Sequence, residues 1–218
     1  LAKQYQVTIV PGSTILPSPE ILNGVLVPRP GAPLQNVSVL YRPNGSPDPK
    51  VIRKTFLTDL EHPFLTEAPV AELPVFDTPA GKLGVLICAD AWYPEPYEEL
   101  ARKGVELLAV PSCIVSMMWG KPWHGYDGHA APGDVDPAHI GKLTEGEAWQ
   151  QYALPQRSKK TAARHGINVF LRGALWALVF DGATIAVSGD ATTVLPHPEP
   201  AAVVVNLWLT PPGEAACG

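Results

Sequence analysis

The sequence is poor in charge and in cysteine, and both shortages limit what the protein can be. Only 17% of its 218 residues are charged, and the formal net charge is −5. The three cysteines, Cys88, Cys113 and Cys217, are odd in number and widely spaced, which argues against a disulfide framework and for a reducing compartment. Neither a CxxC pair nor an HExxH motif is present, so we expect no metal and no other cofactor.

Basic clusters and long apolar runs are also missing. Without a basic cluster, nucleic acid is not an expected partner. No uninterrupted apolar run approaches the length of a membrane-spanning helix, and residues 1–10 lack the features of a secretory signal. We therefore expect a cytoplasmic protein that binds neither nucleic acid nor membranes.

Apolar residues and prolines are abundant instead. Hydrophobic residues make up 46% of the chain, enough to form one substantial core, and we expect a single domain over residues 1–218. The 25 prolines concentrate at residues 11–49 and 193–212 and predict long irregular connections. Residues 116–148 show little periodicity and are expected to form a long insertion loop, a feature that is usually functional in compact domains.

The pattern of apolar runs and turn residues predicts an α/β fold. Strands are expected at residues 6–10, 24–27, 36–41, 50–57, 167–171, 183–187 and 202–207, with a hairpin that joins residues 73–77 to 83–87. Helices are expected at residues 1–5, 96–102 and 149–165. A mixed sheet with helices packed outside fits this order best, and two facing sheets between helix layers are one version of it.

The stretch from residue 81 to residue 110 predicts a parallel strand–helix–strand unit. An apolar run at residues 83–87 ends at Cys88, a helix follows that begins near Pro96 and ends before Gly104, and a second apolar run covers residues 105–110. Cys88 is thus placed at the carboxyl end of a strand and near a helix N-terminus, where ligands gather and thiolates are favoured. We consider it a candidate nucleophile, although a cysteine at the end of a buried strand is more often a small core residue.

Several segments resemble the nitrilase, or carbon–nitrogen hydrolase, superfamily. The nucleophile region of that family is similar to residues 84–90 (GVLICAD), 93–95 (YPE) and 104–112 (GVELLAVPS). Its lysine segment is similar to residues 53–61 (RKTFLTDLE), with Phe56 where a histidine often stands. Residues 36–40 (NVSVL), Trp149 and residues 167–171 (INVFL) also resemble the family.

The resemblance implies a fold and a site. The fold is a four-layer α-β-β-α sandwich, here lacking the first strand and one or two helices. The site is a Glu–Lys–Cys triad that hydrolyses amides, nitriles or carbamoyl groups. By analogy, Lys54 and the backbone N–H of Ala89 stabilise the oxyanion that forms when Cys88 attacks, and Glu61 orients Lys54 and the water.

Other residue types near these positions leave alternatives open. On residue type alone Lys54 would be a solvated charge, and Glu67 and Glu72 lie close enough in sequence to compete with Glu61. Trp92, Tyr93 and Cys113 are expected to line the substrate pocket or to pack in the core. His124 and His129 lie in the insertion loop without regular ligand spacing, so solvated histidines are expected there and a metal site is not.

One member of the implied triad has no counterpart in the sequence. The general-base glutamate of the family belongs to a region that precedes the helix and strand that residues 1–10 resemble. We therefore expect this glutamate to lie upstream of Leu1, and residues 1–218 alone to have little or no activity.

The leading functional hypothesis is hydrolysis of a small-molecule amide, possibly a nitrile or a carbamoyl compound, through a cysteine thioester. One alternative is acyl transfer from the same thioester to a nucleophile other than water. The other is a catalytically dead family member that serves as a binding or assembly subunit. The resemblance also implies a homo-oligomer.

Overall fold

The computed structural model describes residues 1–115, 117–195, 204–207 and 209. Its helices are α1 (Ala2–Tyr5), α2 (Pro94–Arg102), α3 (Glu145–Tyr152) and α4 (Leu154–Arg157), with short 3₁₀ helices at Val70–Glu72, Cys88–Trp92, Pro137–His139 and Ser158–Lys160. Its strands are β1 (Thr14–Pro17), β2 (Glu20–Leu22), β3 (Val25–Val27), β4 (Leu34–Tyr41), β5 (Pro47–Arg53), β6 (Val75–Thr78), β7 (Gly81–Val85), β8 (Leu107–Ser112), β9 (His165–Phe170), β10 (Arg172–Leu175), β11 (Leu178–Asp181), β12 (Ile185–Ser188) and β13 (Ala191–Val194).

The larger sheet of the described residues is mixed and has the strand order β13-β12-β9-β8-β7-β6. Its centre is parallel, since β8 pairs in parallel with both β7 and β9. The predicted hairpin is confirmed as the antiparallel pair β6–β7. The predicted strand–helix–strand unit is likewise confirmed as β7, α2 and β8, so the carboxyl ends of parallel strands meet beside Cys88.

A smaller sheet with the order β1-β4-β5 faces the larger one. Alternate residues along a strand point to opposite faces, and this alternation divides the core in two. The layer between the sheets contains Leu40, Ile52, Phe76, Val85 and Ile87. The layer on the helix side of the larger sheet contains Leu86, Tyr97, Leu100, Leu108, Trp149 and Leu154. This mixed α/β arrangement, with paired sheets and helices outside, confirms the predicted fold class.

Helix α2 lies very close to β7, which places the turn between them accurately. A Cβ added at Gly84 would come within 2.9 Å of side-chain carbons of Leu100 and Val105, so only glycine allows this approach. Gly104, just past the helix end, has a φ of +74°, the left-handed conformation expected of a residue that terminates a helix.

Some predicted elements differ in the structure. The strand expected at residues 6–10 is wrong, because only Ile9 pairs there, in an isolated bridge with Tyr41. The helix expected at residues 149–165 breaks at Ala153, whose φ and ψ of −109° and −143° are not helical. Pro155 explains the break, since proline fits the first turn of a helix, here α4, and disrupts a helix interior.

Two further predictions concern the end of the chain. Of the strand predicted at residues 202–207, residues 204–207 have no regular secondary structure and the rest lies outside the described residues, as does Cys217. No helix in the described ranges combines the length and the apolar character needed to cross a membrane.

Candidate active site

Cys88 lies at a sharp turn after β7. Leu86 and Ile87 continue the strand direction, and Cys88 begins the short helix Cys88–Trp92 with a φ of +51°. A left-handed backbone costs an ordinary L-residue about 1–2 kcal/mol, so the surrounding contacts must hold this conformation. Cys88 is half-buried, and its thiol lies 3.7 Å from the carbonyl oxygen of Cys113. The strained position is the kind of backbone conformation that clusters at functional sites.

Lys54 and Glu61 form a buried ion pair. Lys54 follows the last residue of β5 and is only 3% exposed. Its Nζ donates to Oε2 of Glu61, which also accepts hydrogen bonds from the backbone N–H and hydroxyl of Thr58 at 3.0 and 3.1 Å. Asn36 donates to the other carboxylate oxygen at 3.2 Å. Glu61, and not a neighbouring glutamate, is therefore the carboxylate that holds Lys54.

The charges of this pair support each other. Burial on its own would lower the pKa of Lys54, but the negative charges of Cys88 and Glu61 raise it above its usual value. Burial would raise the pKa of Glu61, but the charge of Lys54 and the hydrogen bonds it accepts hold it below its usual value. Lys54 is thus an ammonium and Glu61 a carboxylate at neutral pH. The influence of Cys88 on Lys54 also indicates that these side chains are near one another.

Asp90 joins the lysine segment to the cysteine turn. Its carboxylate is fully buried and accepts hydrogen bonds from the N–H and hydroxyl of Thr55, at 2.9 and 3.0 Å, and from the N–H of Phe56, at 2.8 Å. It also accepts from the N–H of Ile87 at 2.9 Å. Burial raises the pKa of Asp90 to about 6, although these donors oppose the shift. Because its partners flank Lys54 and Cys88 directly, Asp90 sets the distance between them.

A pocket of about 160 Å³ opens beside Cys88. The predicted pocket residues all line it, and other lining residues come from the long loop and from α3. Its walls are Thr58, Cys88, Ala89, Trp92, Tyr93, Cys113, Ile114, Trp123, Gly125, Tyr126, Asp127, Glu145 and Trp149. A wider, open groove of about 790 Å³ runs past Glu20, Lys50 and Glu72. None of the candidate catalytic side chains lines that groove, so the smaller pocket is the candidate active site.

Trp92, Tyr93 and Cys113 serve the wall in different ways. Trp92 and Tyr93 are 8% and 3% exposed, so they belong to the core as well as to the pocket. The Tyr93 ring stacks on Phe56, with ring centres 4.0 Å apart. Cys113 is exposed as a residue, yet partial burial of its thiol and the nearby charge of Cys88 raise its pKa to about 11. Cys113 is therefore a wall residue and a poor nucleophile at neutral pH.

The insertion loop closes one side of the pocket. The hydroxyl of Tyr93 donates to the Asp127 carbonyl at 3.2 Å, and the hydroxyl of Tyr126 donates to the Trp92 carbonyl at 3.0 Å. A Cβ added at Gly128, where φ is +83°, would lie 2.0 Å from the carbonyl oxygen of Leu57. The loop thus rests directly on the lysine segment and the cysteine turn. Nothing in its aperiodic sequence indicated which of its residues would reach the site.

The family of the chain follows from comparison with known proteins. A family model described as carbon-nitrogen hydrolase matches residues 1–131, a range that holds Lys54, Glu61 and Cys88. The chain belongs to the carbon-nitrogen hydrolase family. The resemblance carried by the cysteine and lysine segments is therefore confirmed.

Curated relatives cover parts of this carbon-nitrogen hydrolase chain. A glutamine-dependent NAD(+) synthetase of Xanthomonas campestris is 31% identical over 129 residues, which are 59% of this chain and 18% of that protein. A deaminated glutathione amidase of Mus musculus is 35% identical over 100 residues, which are 41% of this chain and 30% of that protein. The chain thus spans less than a third of the length of these relatives.

Solved structures share the fold. A carbon-nitrogen hydrolase from Helicobacter pylori superposes with a TM-score of 0.62 and 21% identity, covering 87% of this chain and 57% of that one. An amidase from Nesterenkonia superposes with a TM-score of 0.58 and 18% identity, covering 87% of this chain and 58% of that one. That amidase is described with acrylamide added at its active-site cysteine.

A second cluster of ionisable side chains lies next to the family's lysine segment. His129 is half-buried and forms an ion pair with Glu67, which also accepts from the N–H of Leu57 at 2.9 Å. The expectation that His129 is simply solvated is therefore wrong. His62 lies close enough that His62, Glu67 and His129 could together hold a metal ion, with ligand atoms within 4.8 Å of one another. The ion pair already gives Glu67 and His129 partners that account for their positions.

Proposed function

We propose that this protein hydrolyses the carbon–nitrogen bond of a small-molecule amide, with Cys88 as the nucleophile and a thioester as the intermediate. The observation that carries the proposal is the Lys54 ammonium. It is buried, held by Glu61 and tied through Asp90 to the turn that bears Cys88. A fixed cation beside a cysteine in a pocket suits the transition state of acyl transfer, in which negative charge develops on oxygen.

The proposed reaction begins with attack of the Cys88 thiolate on the amide carbonyl carbon. A C–S bond forms, and the carbonyl oxygen becomes an oxyanion that accepts hydrogen bonds from the Lys54 ammonium and the Ala89 N–H. The C–N bond then breaks, and the nitrogen leaves as an amine after it takes up a proton. Water attacks the remaining thioester, which releases a carboxylic acid and restores Cys88.

Glu61 is proposed to position Lys54. A carboxylate whose pKa is held below its usual value is a weak proton acceptor, and Glu61 is already engaged by Lys54, Thr58 and Asn36. These features favour an orienting role over removal of the thiol proton. The resemblance assigns that proton transfer to the glutamate expected upstream of Leu1.

The size of the pocket supports a small substrate. Its volume of about 160 Å³ lies below the roughly 300–1,000 Å³ typical of sites for drug-sized ligands. Covalent addition at the active-site cysteine, described for the Nesterenkonia amidase with acrylamide and with the acetamide moiety of fluoroacetamide, supports the same route by analogy. We therefore propose short primary amides as the first compounds to assay.

Replacing Lys54 tests the proposal. Lys54→Met should lower kcat/KM for an amide by about 10²–10³-fold, since loss of one oxyanion donor has an effect of this size. Lys54→Arg keeps the charge with a different shape and should lose part of this rate. The measurement is steady-state ammonia release from butyramide. The matched control is Lys142→Met, because Lys142 is exposed and outside the pocket.

Two outcomes of that assay count against the proposal. If Lys54→Met retained the rate of the control, Lys54 would have no role at the reacting atoms. If hydroxylamine trapped no acyl product from any amide during turnover, the thioester would be excluded. A strong preference for amine acceptors over water would favour acyl transfer instead.

A further inference from the structure

One carboxylate in the pocket has no part in the proposed chemistry. Glu145 begins α3 and lines the same 160 Å³ pocket as Cys88. One of its oxygens, Oε1, accepts a hydrogen bond from the indole N–H of Trp149 at 3.1 Å. That bond fixes the side chain against the wall. The other oxygen has no hydrogen-bond partner, and Glu145 has no ion pair, within the part of the chain that the structure describes.

A second acid reinforces the negative character of this end of the pocket. Asp181 ends β11 and is 9% exposed. Its Oδ2 accepts from the N–H of Trp119 at 3.0 Å, whereas its Oδ1 is buried without a partner. Asp181 is near enough to Glu145 to disfavour ionisation of Glu145. Burial first, and then this like charge, raise the pKa of Glu145 to about 7.

The rest of this wall is aromatic. Trp92, Trp123, Trp149 and Tyr126 line the pocket with Glu145, and the indoles of Trp92 and Trp149 are in edge contact with centres 4.7 Å apart. Aromatic side chains together with a carboxylate are the surroundings in which proteins recognise ammonium groups. An acidic group brought here would meet two carboxyl groups in a partly dehydrated site, where repulsion is stronger than in water.

We propose that Glu145, with Asp181 behind it, binds a protonated amino group of the substrate, so that the preferred substrates are amides that carry a cationic amine a few bonds from the scissile carbonyl. This inference rests on the proposed function, because it names the substrate class of the pocket that contains Cys88. Glu145 acts in it as a specificity residue, since it contacts the far end of the substrate and not the reacting carbon.

Three amides of matched size test the charge preference. Butyramide is neutral, 3-aminopropanamide replaces its methyl group by an ammonium, and succinamate carries a carboxylate at that end. The binding of each to Cys88→Ala protein is measured by calorimetry at mildly alkaline pH, where Glu145 is ionised. We expect 3-aminopropanamide to bind at least about tenfold more tightly than butyramide, and succinamate to bind most weakly.

Substitution of Glu145 assigns the preference to this residue. Glu145→Gln preserves an oxygen for the Trp149 hydrogen bond and should bring the dissociation constants of 3-aminopropanamide and butyramide together. Asp181→Asn should reduce the preference in part. Glu98→Gln is the control, since Glu98 is exposed on α2 and does not line the pocket, and it should retain the full preference.

The outcomes separate this inference from the proposed function. Equal binding of butyramide and 3-aminopropanamide, or a preference that survives Glu145→Gln, overturns the charge assignment even if wild-type protein hydrolyses butyramide. Equal loss of turnover with both amides in Glu145→Gln also overturns it, because that result indicates a role at the reacting atoms. Absence of butyramide hydrolysis, with the binding preference intact, counts against the proposed function alone.

Discussion

Replacing Cys88 by alanine is expected to lower amide hydrolysis by a factor of about 10⁴ or more while leaving the fold intact. Removal of a covalent nucleophile has effects of this order in enzymes whose catalytic residues act as a unit. The fold should persist because Cys88 is half-buried and its thiol makes only a long contact with the Cys113 carbonyl, at 3.7 Å. The measurements are ammonia release from butyramide and the midpoint of urea unfolding.

The control for this variant is Cys217→Ala, which removes a cysteine that lies outside the cysteine segment of the family. It should keep the wild-type rate. Turnover by Cys88→Ala at the rate of this control, in protein with the wild-type unfolding midpoint, would show that Cys88 is not the nucleophile. Cys88→Ser should also be strongly impaired, because a hydroxyl is far harder to ionise than a thiol.

Removing the Asp90 carboxylate is expected to have the largest effect on stability. Asp90→Ala leaves the N–H groups of Thr55, Phe56 and Ile87 and the Thr55 hydroxyl without their acceptor in a fully buried site. Unsatisfied buried donors cost about 1–3 kcal/mol each when they cannot reach water. Allowing for relaxation, we expect the free energy of unfolding to fall by about 4 kcal/mol, as measured by urea denaturation.

Asparagine at position 90 distinguishes a positioning role from a purely structural one. Asp90→Asn keeps an acceptor for Thr55 and Phe56 but turns an amide group toward the N–H of Ile87, so it should destabilise less than alanine. It should nevertheless lower kcat more than it changes KM, since the cysteine turn shifts relative to Lys54. Asp77→Ala, an exposed aspartate on β6, is the control. A wild-type kcat in Asp90→Asn would contradict the positioning role.

Local pattern was enough to predict the scaffold of the site. Glycine, an apolar run and a proline at a helix start define β7 and α2 within a short window, and their chemistry does not depend on distant residues. The strand predicted at residues 6–10 failed for the opposite reason. Its apolar residues are suitable for a strand, but strand pairing is decided by tertiary partners, and only Ile9 has one among the described residues.

The contacts that assemble the site are long-range, and the sequence could not predict them from spacing. Asp90 binds Thr55 and Phe56, which lie about 35 residues upstream. Nothing in the turn after Cys88 indicates that this carboxylate points back to the lysine segment. Lys54 on its own would be read as a solvated charge, and only the family resemblance of residues 53–61 indicated its role. The structure then paired it with Glu61 instead of Glu67.

The pocket wall was the least predictable part. Trp123, Tyr126, Asp127 and Glu145 come from a region without periodicity, and their positions depend on hydrogen bonds to the cysteine turn and on the close approach of Gly128 to Leu57. Composition indicated an aromatic loop, but neither its direction nor the carboxylate at its end. Substrate preference is therefore a property of the folded loop.

Competitive alkylation of the cysteines tests the central claim most directly. The protein is treated with limiting iodoacetamide near neutral pH, and the modified cysteines are identified by mass spectrometry. Cys88 should react at least about ten times faster than Cys113, because burial and the nearby charge of Cys88 raise the pKa of Cys113 to about 11. Lys54→Met should slow the reaction of Cys88, since its thiolate loses the neighbouring ammonium. Equal labelling of the two cysteines, or faster labelling of Cys113, would contradict the assignment of Cys88 as the activated nucleophile.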